Sequence, residues 1–307
     1  LFKLIMKDAS KPEKLAENEF LMKSIYKICS IAQDTLGEFS LEIIKQSLTI
    51  LGLIKTNPSN PRVTHFTFET VAVNIKTQVS VVKRNLDKVI DVVMPSILNY
   101  LADDVTEFLQ YSFQLLAFLT ETYSKEMVIS EQISQLSQPL LTPSVWEMAG
   151  NIPATTRFLV ALLNKQPELF GNIEQILGLT QKLLNSKKLF SHAFEILEAL
   201  IINCDSTTMN QYLPSILSMI LVRLQNKDLA FIKRFTLFIA EVILGKTGEP
   251  NFIISWFDML QQTTVFTGVF NNIVLANIDQ FNNLLEKKVV YKGILTFGWT
   301  SSQWLER

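Results

Sequence analysis

The stretch KLFSHAFEILEALIINC, residues 188–204, decides the fold. Its Phe190, Ala193, Phe194, Leu197, Leu200, Ile201 and Cys204 fall at i, i+3, i+4, i+7, i+10, i+11 and i+14, which makes one broad apolar face on an α-helix. The following stretch repeats the pattern with Met209, Tyr212, Leu213, Ile216, Leu217, Ile220 and Leu224. Pro214 stands close to its start, where first-turn amides lack intrahelical partners and a proline costs little. No segment shows sustained alternation with β-branched and aromatic enrichment, so no sheet is expected.

Outward from this stretch, helix pairs recur at a steady interval. Starts near Ile152, Lys188 and Leu229 are 36 and 41 residues apart, and we read them as the first helices of successive pairs. The motif Pro-Ser-Ile-Leu occurs at Pro95 and again at Pro214, 119 residues later, close to three units of about 40. That period is the mark of HEAT or armadillo repeats, in which no pair buries its apolar face alone and neighbours stack. The expected fold is therefore all-α: a HEAT-repeat superhelical solenoid of stacked antiparallel helix pairs, one continuous array over residues 1–307. Short breaks such as Asn185-Ser186 and Asp205-Ser206-Thr207 join helices, whereas KTNPSNP at 55–61 is a stiffer, proline-bounded turn.

Composition narrows the function classes. The 307 residues are 48% hydrophobic, and 28 Lys and Arg against 29 Asp and Glu leave a formal net charge of −1. Bulk charge therefore offers no attraction to nucleic acid or membrane surface, and no apolar run approaches the ~18 residues that span a bilayer. Cys29 and Cys204 lie far apart inside apolar helical pattern, as buried free thiols of a reducing compartment do. The chain opens on Leu1 within a helical pattern and ends at Arg307 without a polar tail, as expected of a piece of a longer protein.

The chemical inventory is thin. The histidines are His65 and His192, the latter on the apolar helix above and without a convergent partner in the sequence. The ten glycines include no G-x-G pair, and H-E-x-x-H, C-x-x-C, EF-hand and G-x-S-x-G patterns are missing. No catalysis, metal or cofactor is expected. Phe231, Phe235 and Phe238 recur at helical spacing and read as core. The pairs Lys187-Lys188, Lys233-Arg234 and Lys287-Lys288 are too dispersed for a nucleic-acid stripe. The acidic run Asp103-Asp104-Val105-Thr106-Glu107 has two readings. One is a capping box, Asp104 as N-cap and Glu107 three residues on, before a helix from Phe108 to Thr120. The other is a negative spot that meets a basic partner.

The segment QPLLTPSVWEMAGNIPATTRFL at 138–159 resembles one found in the cellular apoptosis susceptibility (CAS) family of karyopherins, exportins that return importin-α to the cytoplasm. LAENEFLMKSI at 15–25, NPSNPRVTHFTFE at 57–69, DVTEFLQYSFQ at 104–114 and RLQNKDLAFIKRFTLF at 223–238 resemble the same family in the same order, and LLEKKVVYKGIL at 284–295 adds a sixth stretch. The resemblance implies part of the carboxyl-terminal half of a HEAT superhelix without catalysis. It implies binding of importin-α cargo together with Ran-GTP, contact with nucleoporins, and shuttling between nucleus and cytoplasm through the nuclear pore. Any GTP belongs to Ran, so this chain needs no cofactor; neither nucleic acid nor membrane insertion is implied. The amino-terminal repeats that supply a principal Ran contact in karyopherins precede this region, and further repeats are expected after Lys287-Lys288, where this sequence ends in FGWTSSQWLER.

Partner contacts are expected at polar positions of inner helices and their turns: Asn57 in the proline-bounded loop up to Pro61, then Asp103, Asp104 and Glu107, Asn151 in the break, and Arg223, Gln225, Asn226 and Lys227 at a helix end. The last four are equally well read as helix termination and dipole compensation. From repeat architecture alone, the alternative is a HEAT-repeat scaffold that binds proteins without dependence on Ran.

Overall fold

Apolar periodicity becomes helix along most of the chain, and no strand forms among the described residues. The computed structural model describes residues 1–81, 86–124, 127–171, 173–246, 248–249, 251–260 and 265–301. The last residues of FGWTSSQWLER, from 302 on, lie outside them. Two compact units divide the chain, Leu1–Leu136 and Ser137–Arg307.

In the first unit the longer helices are α1 (Glu19–Leu36), α2 (Phe39–Ile54), α3 (Pro61–Val81), α4 (Leu86–Ala102) and α5 (Thr106–Thr122). Asn60 starts α3 by accepting the amides of Arg62 at 3.0 Å and Val63 at 3.4 Å, with Pro61 preset in the first turn. α3 packs on both α1 and α2, while α4 stacks on α2 and α5 on α3. Two layers result, α2 with α4 and α1 with α3 and α5. Phe68 of α3 meets the edges of Tyr100 and Phe108 at 6.3 and 5.2 Å and stacks on Tyr111 at 4.8 Å. α3 also buries Thr67, Thr70 and Thr77, whose hydroxyls bond back to the carbonyls of Val63, Phe66 and Val73. Those internal bonds satisfy these three hydroxyls inside the interior, whereas the buried hydroxyl of Thr64 on the same helix has no partner.

In the second unit a 3-10 turn, Pro143–Trp146, leads to α6 (Ile152–Lys165), α7 (Ile173–Asn185), α8 (Phe190–Asn203), α9 (Leu213–Leu224), α10 (Leu229–Gly245), α11 (Phe252–Asp258) and α12 (Leu284–Thr300). Asp228 caps α10 through the amides of Ala230 and Phe231, and Asn283 caps α12 through that of Leu285. α8 packs on α6, α10 on α8 and α12 on α10, while α7, α9 and α11 follow one another in the other layer. The expected aromatic core is real: Phe231, Phe235 and Phe238 are fully buried. Phe194 of α8 lies 5.2 Å from Phe231 and 5.1 Å from Phe238 of α10, and Phe238 reaches Trp256 at 6.2 Å. Each such ring, wholly withdrawn from water, contributes on the order of 1.5–3 kcal/mol.

The interval read from the sequence holds, but its phase is shifted. α8 packs closely on α7, the helix before it, and not comparably on α9, the helix after it. The helices that begin near Ile152, Lys188 and Leu229 share one layer, and the one near Lys188 is the second member of its pair, not the first. A period of about 40 is the same whichever helix opens the count. The two Pro-Ser-Ile-Leu copies also differ. Pro214 sits in the first turn of α9 as expected, whereas Pro95 lies inside helix α4, which begins at Leu86.

α10 and α12 touch at Gly293, which stands directly over the backbone of Ala240. A Cβ at 293 meets Ala240 Cα and O at 2.8 Å, contacts that no rotamer change relieves. Gly293→Val is therefore expected to lower stability by about 1–3 kcal/mol through overpacking. Gly178→Ala, in an open stretch of α7 with nothing within 4 Å, is expected to raise it by roughly 0.5–1 kcal/mol. Urea denaturation of the two variants checks both signs.

Candidate partner-binding surface

The residues singled out from the sequence gather at three turns. In the first unit, Lys55 at the end of α2 reaches across to α4, where its Nζ meets Asp103 Oδ2 at 2.6 Å and also contacts Asn99 Oδ1. The loop that holds exposed Asn57 and the acidic run are thus joined by Lys55, a residue at the flank of that loop. Nothing local marks it, because its partner is 48 residues away. With Lys55 and Asp103 at 23% and 45% side-chain exposure, the pair is worth well under ~1 kcal/mol and orients more than it stabilises.

The capping-box reading of Asp104 is overturned. Helix α5 begins at Thr106 with Val105 at its cap and no side-chain capping bond. Asp104 instead ends α4 in the left-handed conformation, φ 48°. The Asp104 amide donates to Leu101 O and the Val105 amide to Tyr100 O, at 3.2 and 3.1 Å. This is the paired bonding of a Schellman terminator, with buried Val105 closing over Tyr100. With so short a connection, the end of one helix and the start of the next compete for one acid, and the helix end wins. Asp104 and Glu107 remain exposed beside Asp103.

Lys227 is likewise left-handed at the end of α9, with φ 52° and its amide bonded to Leu224 O at 3.0 Å. Gln225, Asn226 and Lys227 are exposed at this turn. Arg223 is not: its guanidinium lies 5.5 Å over the Phe231 ring, 3.7 Å from Asp228, at 14% exposure. It braces the joint between α9 and α10.

Asn151 is buried at 6% exposure, and its carbonyl accepts both the amide and the hydroxyl of Thr155 at 3.0 Å. The rigid break before it is anchored by Trp146, whose indole donates to Leu140 O at 2.8 Å. Pro143 and Thr142 of the break, with Gln175, Leu179 and Lys182 of α7, line an open cleft of about 490 Å³. A second cleft of about 400 Å³ has Met209, Trp256, Phe252 and Met259 as apolar walls, and Lys246 and Asn251 at its polar edge.

Comparison with known proteins decides the family. The family model for the CAS/CSE protein, C-terminus, matches residues 1–305. The chain belongs to the CAS/CSE family. It is 36% identical over 297 residues to the importin alpha re-exporter of Saccharomyces cerevisiae, covering 96% of this chain and 30% of that protein. Against the importin-alpha re-exporter of Schizosaccharomyces pombe it is 30% identical, and against human exportin-2 it is 31% identical over 290 residues, 29% of that protein. The exportin Cse1 in its cargo-free, cytoplasmic state is similar in structure, with a TM-score of 0.88 at 35% identity, over 96% of this chain and 31% of that one. The fold is accordingly the all-α HEAT-type solenoid expected, and the chain spans about 30% of the length of its relatives.

This CAS/CSE chain carries one polar cluster that the sequence reading missed. Arg234 of α10 binds Glu241 at 2.8 Å and lies 3.8 Å from Glu198 of α8, with its guanidinium 5.5 Å over Phe194. Burial, then the neighbouring Glu241 charge and a hydrogen bond to it, push Glu198 up to about 8, against the pull of Arg234. The signal was present as a carboxylate in each of two apolar helical runs, ILEALII and FIAEVIL. Elsewhere the chemistry is quiet. Burial raises both free thiols, Cys204 to about 11. Among the described residues no three His, Cys, Asp or Glu are arranged to hold a metal ion, and no helix is long and apolar enough to cross a membrane.

Two predictions follow from this geometry. Asp104→Gly is expected to raise stability by up to roughly 1 kcal/mol by removing the left-handed penalty, whereas Asp104→Val lowers it by about 1–2 kcal/mol, read as shifts in urea midpoint. Because the folded state holds Glu198 above its ordinary range, the stability this carboxyl contributes is complete below about pH 4.5 and fades as pH rises through about 8. Glu198→Gln should therefore leave the melting temperature near that of the parent at pH 5 and raise it progressively at pH 7 and 9.

Proposed function

We propose that this chain is part of a nuclear export receptor that carries importin-α from nucleus to cytoplasm as a ternary complex with Ran-GTP. The observation that carries the reading is similarity over nearly the whole chain to proteins named importin-α re-exporters. The protein is a carrier and not an enzyme, needs no cofactor of its own, and leaves GTP to Ran. It shuttles through the nuclear pore and meets nucleoporins on the way, without nucleic acid or membrane insertion.

The physical means is differential stability of two arrangements of one solenoid. Each joint between stacked pairs contributes a small rotation, so a ligand that bridges distant repeats selects one pitch. Coupling between cargo and Ran-GTP is the free energy of that selection, typically about 1–3 kcal/mol per linked pair of sites. The exposed turns carry the contacts in this chain: Asn57, Asp103, Asp104 and Glu107 in the first unit, and Gln225, Asn226 and Lys227 in the second. Asn151 and Arg223, which are largely withdrawn from solvent, act by holding the neighbouring surfaces in place.

Binding of importin-α to the full-length protein and to this chain, each with and without Ran locked in its GTP state, tests the reading. We expect the full-length protein to bind only with Ran-GTP, and charge reversal at Asp104 and Glu107 together to weaken that binding about tenfold or more. Equal binding with and without Ran-GTP would replace the carrier by a passive scaffold.

A further inference from the structure

The open cleft beside the break is walled on one side by helix α7, and that wall lacks a side chain at its centre. Gln175, Gly178, Leu179 and Lys182 fall at i, i+3, i+4 and i+7 on one face of α7 and line the cleft together. Glycine weakens a helix interior, and its ordinary use there is to let another group approach the backbone. Gly293 serves that end against Ala240, but a Cβ at Gly178 would meet nothing within 4 Å. The backbone of α7 is therefore bare where it faces the cleft. The opposite wall is Leu141 and Pro143 of the break. It is held by the indole of Trp146 on Leu140 O at 2.8 Å and by Gln138, whose amide donates to Leu169 O at 3.3 Å. Both walls come from residues 138–182, in the middle of the chain, so neighbouring elements of the chain shape the cleft themselves.

Charge and spacing say what fits. Lys182 is the charged residue of the lining; it is exposed and makes no ion pair with another described residue. Gln175 stands at the other end of the same face, about 10 Å away at 1.5 Å per residue. Between them lie Leu141, Pro143, Leu179 and the bare backbone of Gly178. Along its length the cleft thus reads amide, apolar gap, cation, a concave apolar surface with polar groups at its ends. Gly178 and Lys182 are four residues apart, about 6 Å along the helix. Alternate residues of an extended segment point to one side and lie ~6.6 Å apart, so an apolar side chain and a carboxylate two positions from it match that interval.

We infer that this cleft docks a short extended segment of a partner protein, in which a leucine-sized residue stands two positions from an aspartate or glutamate. The apolar side chain enters over Gly178, against Leu141, Pro143 and Leu179, and the carboxylate meets Lys182. Gln175, whose side-chain amide both donates and accepts, bonds the backbone of the segment. Because the break is already fixed by Trp146 and Gln138, little ordering of the protein opposes docking, and Lys182 sets specificity more than affinity. The surface lies apart from the turns proposed to carry Ran-dependent contacts, and the inference holds or fails independently of them.

The test uses the full-length protein and three fluorescein-labelled peptides, amidated at the carboxyl end, with the cores Glu-Ser-Leu-Ser-Glu, Lys-Ser-Leu-Ser-Lys and Glu-Ser-Ala-Ser-Glu. An acid on each side of the leucine serves either direction of the segment. By fluorescence anisotropy the first peptide is expected to bind about fivefold or more tightly than either of the others. Gly178→Leu fills the cleft and should weaken that binding about tenfold or more, while the melting temperature stays at or above that of the parent, since leucine is the better helix former and has room. Lys182→Glu should place the lysine peptide ahead of the glutamate peptide. In Gly178→Cys, maleimide should react at the new cysteine above the parent's background, and more slowly once the first peptide is present. Absence of binding, equal affinity for the three peptides, undiminished binding in Gly178→Leu, or an unchanged order in Lys182→Glu would each overturn the inference. So would an unreactive cysteine at 178 before peptide is added, which would show the cleft covered by another part of the protein.

Discussion

A pair of antiparallel helices has more apolar surface than its two members can cover, and this constraint governs the chain. In the second unit α8, α10 and α11 share rings across their joints: Phe194 with Phe231 and Phe238, then Phe238 with Trp256. Each helix is buried only because another stacks on it. Stability in such an array is a sum of intrinsic and nearest-neighbour terms, so a change at one joint is felt locally. That is the energetic condition a carrier needs, because joints can shift by small rotations without opening a common core.

The joints are not all alike. Gly293 over Ala240 admits no side chain and fixes the approach of α12 to α10. The joint between α8 and α10 combines the phenylalanine contacts with an arginine between two glutamates. A half-buried ion cluster of this kind is poor as a source of stability and good as a means of specifying geometry. Holding Glu198 protonated near neutrality makes the cluster one proton from a change in its charge balance, which a purely apolar joint cannot offer.

What was legible in the sequence followed from local periodicity. The apolar face of 188–204 forms helix α8, and Pro214 sits in a first turn as its neighbours require. The phase of pairing was not legible, since an interval of 36 to 41 residues is unchanged by which helix is counted first. Nor was the role of Asp104: Asp-Asp-Val-Thr-Glu satisfies an N-cap pattern, while the backbone bonds of the Asp104 and Val105 amides to Leu101 and Tyr100 hand it to the preceding helix. The polar contacts that matter at the turns, Lys55 with Asp103 and Arg234 with Glu198, join residues from different helices, where no local pattern reaches.

The same reasoning explains why exposed polar residues were easier to nominate than to place. Asn151 looked available because asparagine in a proline-bounded break usually faces water, yet the indole of Trp146 folds the break inward and its carbonyl is taken by Thr155. Arg223 looked like a terminal cation, yet the aromatic ring of Phe231 gives its flat guanidinium a better seat than solvent does. In both cases an aromatic side chain, whose location depends on stacking between helices, decides whether a polar neighbour is structural or free to meet a partner. A surface on a stacked-helix protein is therefore defined by its core: the residues left exposed at the turns are those that the rings beneath them do not claim.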